Sequence, residues 1–149
     1  RFPNDKEVTN LRPILLIAAL NDPAAAVRRA ATVELGLHGI AKSLDPLVSI
    51  LLNDLDSDLR AEAAFAVGSI GGEKSVRPLI SPVTRDWSSF VRSQALEALL
   101  KTDEPRTAII AIIAALPKLG TEYPHAYRQL NNILPHLRQR VHGRDLRDR

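Results

Sequence analysis

Asp22, Asp54 and Asp86 stand 32 residues apart, and each is followed six residues later by an arginine: Arg28, Arg60 and Arg92. At a fixed period these groups line up along one side of the molecule. Carboxylates and guanidinium groups set that way could form a site, because a guanidinium clamps a carboxylate through two parallel charge-assisted hydrogen bonds. Other residues able to do chemistry are sparse. Serine, histidine and aspartate occur at no spacing that fits a catalytic triad, and there is no glycine-rich phosphate loop. The chain has no cysteine, which excludes disulfides, thiolate metal sites and cysteine nucleophiles.

A charge that recurs every 32 residues must be carried by an element that recurs with it. The same register aligns Ala31, Ala63 and Ala95; Val27, Leu59 and Val91; Leu35, Val67 and Leu99; and Leu15, Leu47 and Leu79. Gly36 falls on Gly68, and Gly39 on Gly71. Agreement at a fixed period is the mark of a repeat architecture. Within each unit, positions such as 27, 31 and 35 are four apart, so they share one face of a helix. Apolar segments precede them at 11–20, 44–52 and 76–84, and each unit reads as helix A, turn, helix B. Ser43, Ser75 and Ser88 are expected to cap helix starts, Pro23 to open the first B helix, and Gly39 and Gly71–Gly72 to close B helices. Pro82 predicts a kink or early end in the third A helix.

The segments NDPAAAVRRAATVELG, NDLDSDLRAEAAFAVG and RDWSSFVRSQALEALL resemble HEAT repeats of the phycobilisome-lyase-like class: aspartate, a short turn, Val-Arg, Ala-Ala, then Leu-Gly. The resemblance covers residues 9 to about 103. It implies an all-α, right-handed α-α superhelix, a HEAT-like solenoid of about four helix pairs in units 9–40, 41–72, 73–104 and 105–140. Residues 1–8 are expected to form an extension and 141–149 a basic tail. The fourth unit lacks the aspartate and the Val-Arg pair, and Leu100 replaces the glycine in the third. In such a family the Asp22, Arg28, Asp54, Arg60, Asp86 and Arg92 set is a structural ladder tying the turn of one repeat to the helix of the next. HEAT-like hydroxylases bind metal through His-Glu pairs. This chain has four histidines (His38, His125, His136, His142) but no such pair, so no metal or other cofactor is expected, and His38 reads as a helix-end packing residue. Trp87 beside Asp86 resembles the aromatic-acidic pairing of HEAT-like DNA glycosylases, though the body lacks the basic surface that DNA affinity requires.

Charge supports that reading. The net charge is +3, and the segment from 137 onward carries five arginines against two aspartates, so the remainder is neutral. That segment reads as a solvated or partner-ordered tail. The longest apolar run, 108–116, is too short to span a membrane, and a cytoplasmic location is the default expectation. The chain starts at Arg1 and contains no methionine, and so is expected to be a piece of a longer polypeptide.

In a solenoid the far side of the B helices lines the concave surface. Stepping off the core positions gives Arg29, Val33 and Leu37, then Ala61, Phe65 and Ser69, then Ser93, Glu97 and Lys101. Val33 and Phe65, flanked by Arg29, Glu62 and Glu97, form an apolar centre with a charged rim, the composition of a protein-binding patch. The expected function is a non-enzymatic scaffold holding a protein partner there. The alternatives are a subunit of a bilin lyase or other chromophore-handling complex, implied by the resemblance alone, and nucleic-acid binding through the arginine-rich C-terminus. The first and fourth A helices, LRPILLIAAL and TAIIAIIAAL, are apolar around nearly their whole circumference. The first is therefore expected to meet further repeats, a second copy or a partner. In the fourth unit, Tyr127, Leu130, Ile133, Leu134 and Leu137 share the spacing needed to cover the A helix.

Overall fold

A computed structural model describes the backbone of residues 5–147 and the side chains of residues 11–147. Among these residues every regular element is helical: α1 (Asp5–Ala19), α2 (Ala25–Leu37), α3 (Leu44–Asn53), α4 (Ser57–Ile70), α5 (Glu73–Arg85), α6 (Ser89–Lys101), α7 (Pro105–Glu122) and α8 (Pro124–Asp145), with a short 3-10 turn at Ala41–Ser43. They pair in chain order. The second helices α2, α4 and α6 stack on one another, while α3, α5 and α7 form the other layer, giving an all-α HEAT-like solenoid. No described helix is long and apolar enough to cross a membrane.

The stack is held by leucine and by smallness. Leu35, Leu47, Leu59, Leu79, Leu99, Ile112, Leu130 and Leu137 are fully buried, each contributing roughly 1.5–3 kcal/mol. Alanine and glycine set the distance between layers. A Cβ on Gly36 would lie 2.8 Å from the Cβ of Ala66, and one on Gly68 would lie 2.8 Å from that of Ala98, so α2, α4 and α6 approach as closely as their backbones allow. Gly39 and Gly71 follow the B helices at φ of 58° and 70°, a conformation that glycine adopts without steric cost.

Several expectations need correction. The early end at Pro82 does not occur: α5 runs unbroken to Arg85, and the amide of Asp86 donates to the Pro82 carbonyl at 3.1 Å. Pro82 forgoes its own bond to the Pro78 carbonyl, and the following turn closes on the Pro82 carbonyl instead. Ser75 lies inside α5, whose cap is Gly72, and the hydroxyls of Ser43 and Ser75 donate backward to Ile40 and Gly72 carbonyls instead of accepting from helix amides. Ser88 does cap α6, accepting from the Val91 amide. Pro23 precedes α2, whose cap is Ala24.

Leu15 is 67% exposed, whereas its counterparts Leu47 and Leu79 are buried. In α1 the inward places go to Leu16 and Leu20, one residue on, equivalent to a turn of about 100° about the helix axis. Leu11, Ile14 and Leu15 consequently form an exposed outer stripe. Nor is α7 enclosed on all sides, since Ile110 and Ile113 are exposed. Leu130, Ile133, Leu134 and Leu137 of α8 cover its inner face as expected, with Tyr127 at the margin.

The terminal boundaries shift too. Of the expected extension 1–8, residues 5–8 belong to α1, and residues 1–4 lie outside the described residues. Of the basic tail 141–149, residues 141–145 belong to α8, and Asp148 and Arg149 lie outside the described residues.

Candidate functional site

The Asp/Arg ladder is assembled by the repeat itself. Asp54 and Asp86 are the C-cap residues of α3 and α5, and Arg28 and Arg60 stand in the first turns of α2 and α4. Arg28 donates through Nε and Nη2 to both oxygens of Asp54 at 2.9 and 3.2 Å, and Arg60 does the same to Asp86 at 2.8 and 3.0 Å. The Nη1 of each arginine turns back to its own repeat, reaching the carbonyls of Asp22 and Asp54 at 2.9 and 2.8 Å. The tie therefore runs from the B helix of one repeat to the turn of the next, opposite to the expected sense. The hydrogen bond that Arg60 donates to Asp86 raises the Arg60 pKa against the opposing effect of burial. At Asp54 burial opposes ionisation, but the Arg28 hydrogen bond, the Asp56 amide and the nearby positive charges outweigh it and lower the pKa. With both carboxylate oxygens engaged, Asp86 is not available to serve a substrate base beside Trp87. The Trp87 ring instead packs on the Arg60 guanidinium, 5.1 Å from its centroid.

The ends of the ladder differ. Asp22 accepts from the Ala24 amide at 2.8 Å and belongs to the first turn. Arg92 donates to the Asp86 and Trp87 carbonyls at 2.7 and 3.1 Å.

The exposed face of α2, α4 and α6 carries an apolar groove. Phe65 is 56% exposed, so it points outward and not into the core, and Val33, Leu37 and Phe90 are exposed beside it. A hollow of about 200 Å³ is lined by Val33, Leu37, Phe65 and Phe90 with Glu62 and Gln94. A second, of about 350 Å³, adjoins it across the Phe65 ring, with Ser69, Glu97 and Lys101 on its walls. Arg29 sits at the rim, its guanidinium donating to Glu62 Oε1 at 2.7 Å, and this bond raises the arginine pKa. The other oxygen, Glu62 Oε2, is buried and has no hydrogen-bond partner among the described residues. Lys101 pairs with Glu97 at 2.6 Å.

Of the residues expected on this face, Arg29, Val33, Leu37, Phe65, Ser69, Ser93 and Glu97 are exposed. Ser93 lines neither hollow. Ala61 lies at the floor of the first hollow but is only 1% exposed, because α4 is flanked by both α2 and α6, so it shapes the groove and offers almost no contact surface. Phe90 and Gln94 are groove residues that the 32-residue pattern does not mark, since Asp58 and Glu62 hold their places one repeat earlier.

His38 caps the end of α2, with its ring half-exposed and 3.4 Å from Glu34. Two of the five C-terminal arginines, Arg140 and Arg144, are tied to the body and are not part of a loose basic tail. Arg140 Nη1 donates to the Leu100 carbonyl at 2.6 Å and Arg144 Nη1 to the Asp103 carbonyl at 2.6 Å, while Arg106 pairs with Asp145. These side chains fasten α8 to the end of α6, where helix carbonyls lack intrahelical partners.

Comparison with known proteins agrees with the repeat geometry. The family described as HEAT repeats matches residues 13–100. No curated protein matches the chain.

Proposed function

The chain belongs to the HEAT-repeat family, and from that premise we propose that it is a protein-binding scaffold without catalytic chemistry, holding a partner segment in the groove of α2, α4 and α6. The observation that carries this is the outward Phe65 ring between two hollows, with Val33, Leu37 and Phe90 exposed in the same groove. An apolar centre with a paired, charged rim resembles the anatomy of protein interfaces. The hollows fit aliphatic or aromatic side chains. Within the family, the repeated aspartate, Val-Arg and Ala-Ala pattern favours the phycobilisome-lyase-like class. The outer stripe Leu11, Ile14 and Leu15 of α1 offers a second surface, suited to self-association or to further repeats.

Site-specific photo-crosslinking tests the groove. A benzophenone side chain in place of Phe65 is expected to give a discrete adduct with a protein partner in cells, and the same group in place of Lys74, on α5, is not. The adduct should disappear when Val33→Asp or Phe90→Asp is added, with the melting temperature unchanged. Equal adducts at both positions, or an adduct that survives both groove substitutions, would refute the reading.

A further inference from the structure

The ladder sets a template that its last rung leaves incomplete. Asp54 and Asp86 are the C-cap residues of α3 and α5, and each presents two carboxylate oxygens to the arginine of the preceding B helix. The C-cap of α7 is Tyr123, which offers no carboxylate. Arg92 is nevertheless held as Arg28 and Arg60 are, with its Nη1 fixed on the carbonyls of its own turn at 2.7 and 3.1 Å. Its Nε and Nη2 make no hydrogen bond among the described residues. The fork that grips a carboxylate on the two earlier rungs is thus pre-set and half-buried on the third.

A hollow of about 290 Å³ opens beside it, lined by Arg92, Glu122, Tyr123, His125 and Gln129 together with Asp86. Asp86 is already neutralised by Arg60. Gln129 Oε1 is buried and meets no hydrogen-bond donor among the described residues, and a donor in the hollow reaches it once the half-buried Gln129 side chain turns outward. The hollow therefore offers a double donor on one wall, with an unsatisfied acceptor just behind another.

We propose that this hollow binds an aspartate or glutamate side chain of a partner polypeptide, its carboxylate on the Arg92 fork and a neighbouring backbone N–H on Gln129 Oε1. A free carboxylate satisfies the fork alone, because it brings no N–H for Gln129. Glu122, exposed on the wall, is the carboxylate that opposes the incoming one. The site lies on the turn edge and does not rest on the Phe65 groove.

The test is NMR titration of the full chain, following the Arg92 Nε–H and the Gln129 side-chain amide. The probes are an N-acetylated, C-amidated Ala-Asp-Ala peptide, its Ala-Asn-Ala counterpart, and succinate. The aspartate peptide should shift both signals saturably and the asparagine peptide neither. Arg92→Lys keeps the charge but not the fork and should weaken peptide binding by about tenfold or more. Gln129→Leu should weaken the peptide and leave succinate unaffected. Glu122→Gln should tighten peptide binding by roughly fivefold, the effect of removing one nearby like charge; its side chain is exposed, so this variant keeps the test sound even where Arg92→Lys perturbs folding. Indistinguishable aspartate and asparagine peptides, succinate binding as tight as the peptide, or no response to Glu122→Gln would each overturn the proposal.

Discussion

Replacing Arg60 by alanine should be among the most damaging single changes to a polar residue of this chain, because Arg60 is buried at 3% exposure and serves two repeats at once. Its guanidinium neutralises Asp86, whose side chain is only 8% exposed, and satisfies the Asp54 carbonyl at 2.8 Å. Removing it strands a desolvated carboxylate and a carbonyl in the same step. Breaking a buried pair from one side costs about 3–5 kcal/mol, which for a chain of this length corresponds to a fall of about 6–20 °C in melting temperature. Arg28→Ala removes the same bonds one repeat earlier, but there the pair is 18% and 11% exposed, so water can partly rehydrate Asp54. About 1.5–3 kcal/mol is expected in that case. Urea unfolding at pH 7 of Arg60→Ala, Asp86→Asn and the double variant separates the contributions. The double variant should lose clearly less than the sum, since no lone charge is left behind. An Arg60→Ala loss below about 1 kcal/mol, or strict additivity in the cycle, would show that the ladder is ornament on a core that holds without it.

Two further outcomes follow from the same geometry. Gly36→Ala should destabilise by about 1–3 kcal/mol despite the better helix propensity of alanine, because the new methyl meets Ala66 at 2.8 Å; calorimetry showing a rise in melting temperature would mean the α2 and α4 backbones have room to spare. The lowered pKa of Asp54 makes its contribution complete above the ordinary carboxylate range and lost as pH falls through the folded-state pKa, so the stability gap between the parent and Asp54→Asn should be largest at neutral pH and close below about pH 4. A gap independent of pH would place the value of Asp54 in its shape and not its charge.

What the sequence could and could not disclose depends on how many neighbours a helix has. The ladder was legible because a carboxylate and a guanidinium recurring at one period in an otherwise apolar frame persist only where each satisfies the other. Its direction was not, since the Arg28 to Asp54 separation of 26 residues becomes visible only once the turns are placed. The partner face was legible at Phe65, a large apolar residue off the core positions, and is narrower than expected at Ala61, which lies at its floor. For a helix with one neighbour, two residues off the core line is solvent; α4 has α2 and α6 on either side, and Ala61, Ala63, Ala64 and Ala66 are all buried, so the open strip narrows to Phe65 and its immediate flank. An alanine looks the same at a helix contact as on a surface, and only close approach tells them apart. Phe90 escaped for the opposite reason, being conspicuous in type but unrepeated. Arg140 and Arg144 read as free charge because their partners, the carbonyls of Leu100 and Asp103, belong to the backbone, and every residue has one. The same limit hid the fork of Arg92: its sequence neighbourhood matches that of Arg28 and Arg60, and only Tyr123 at the end of α7 shows that the next helix closes without the carboxylate that α3 and α5 supply.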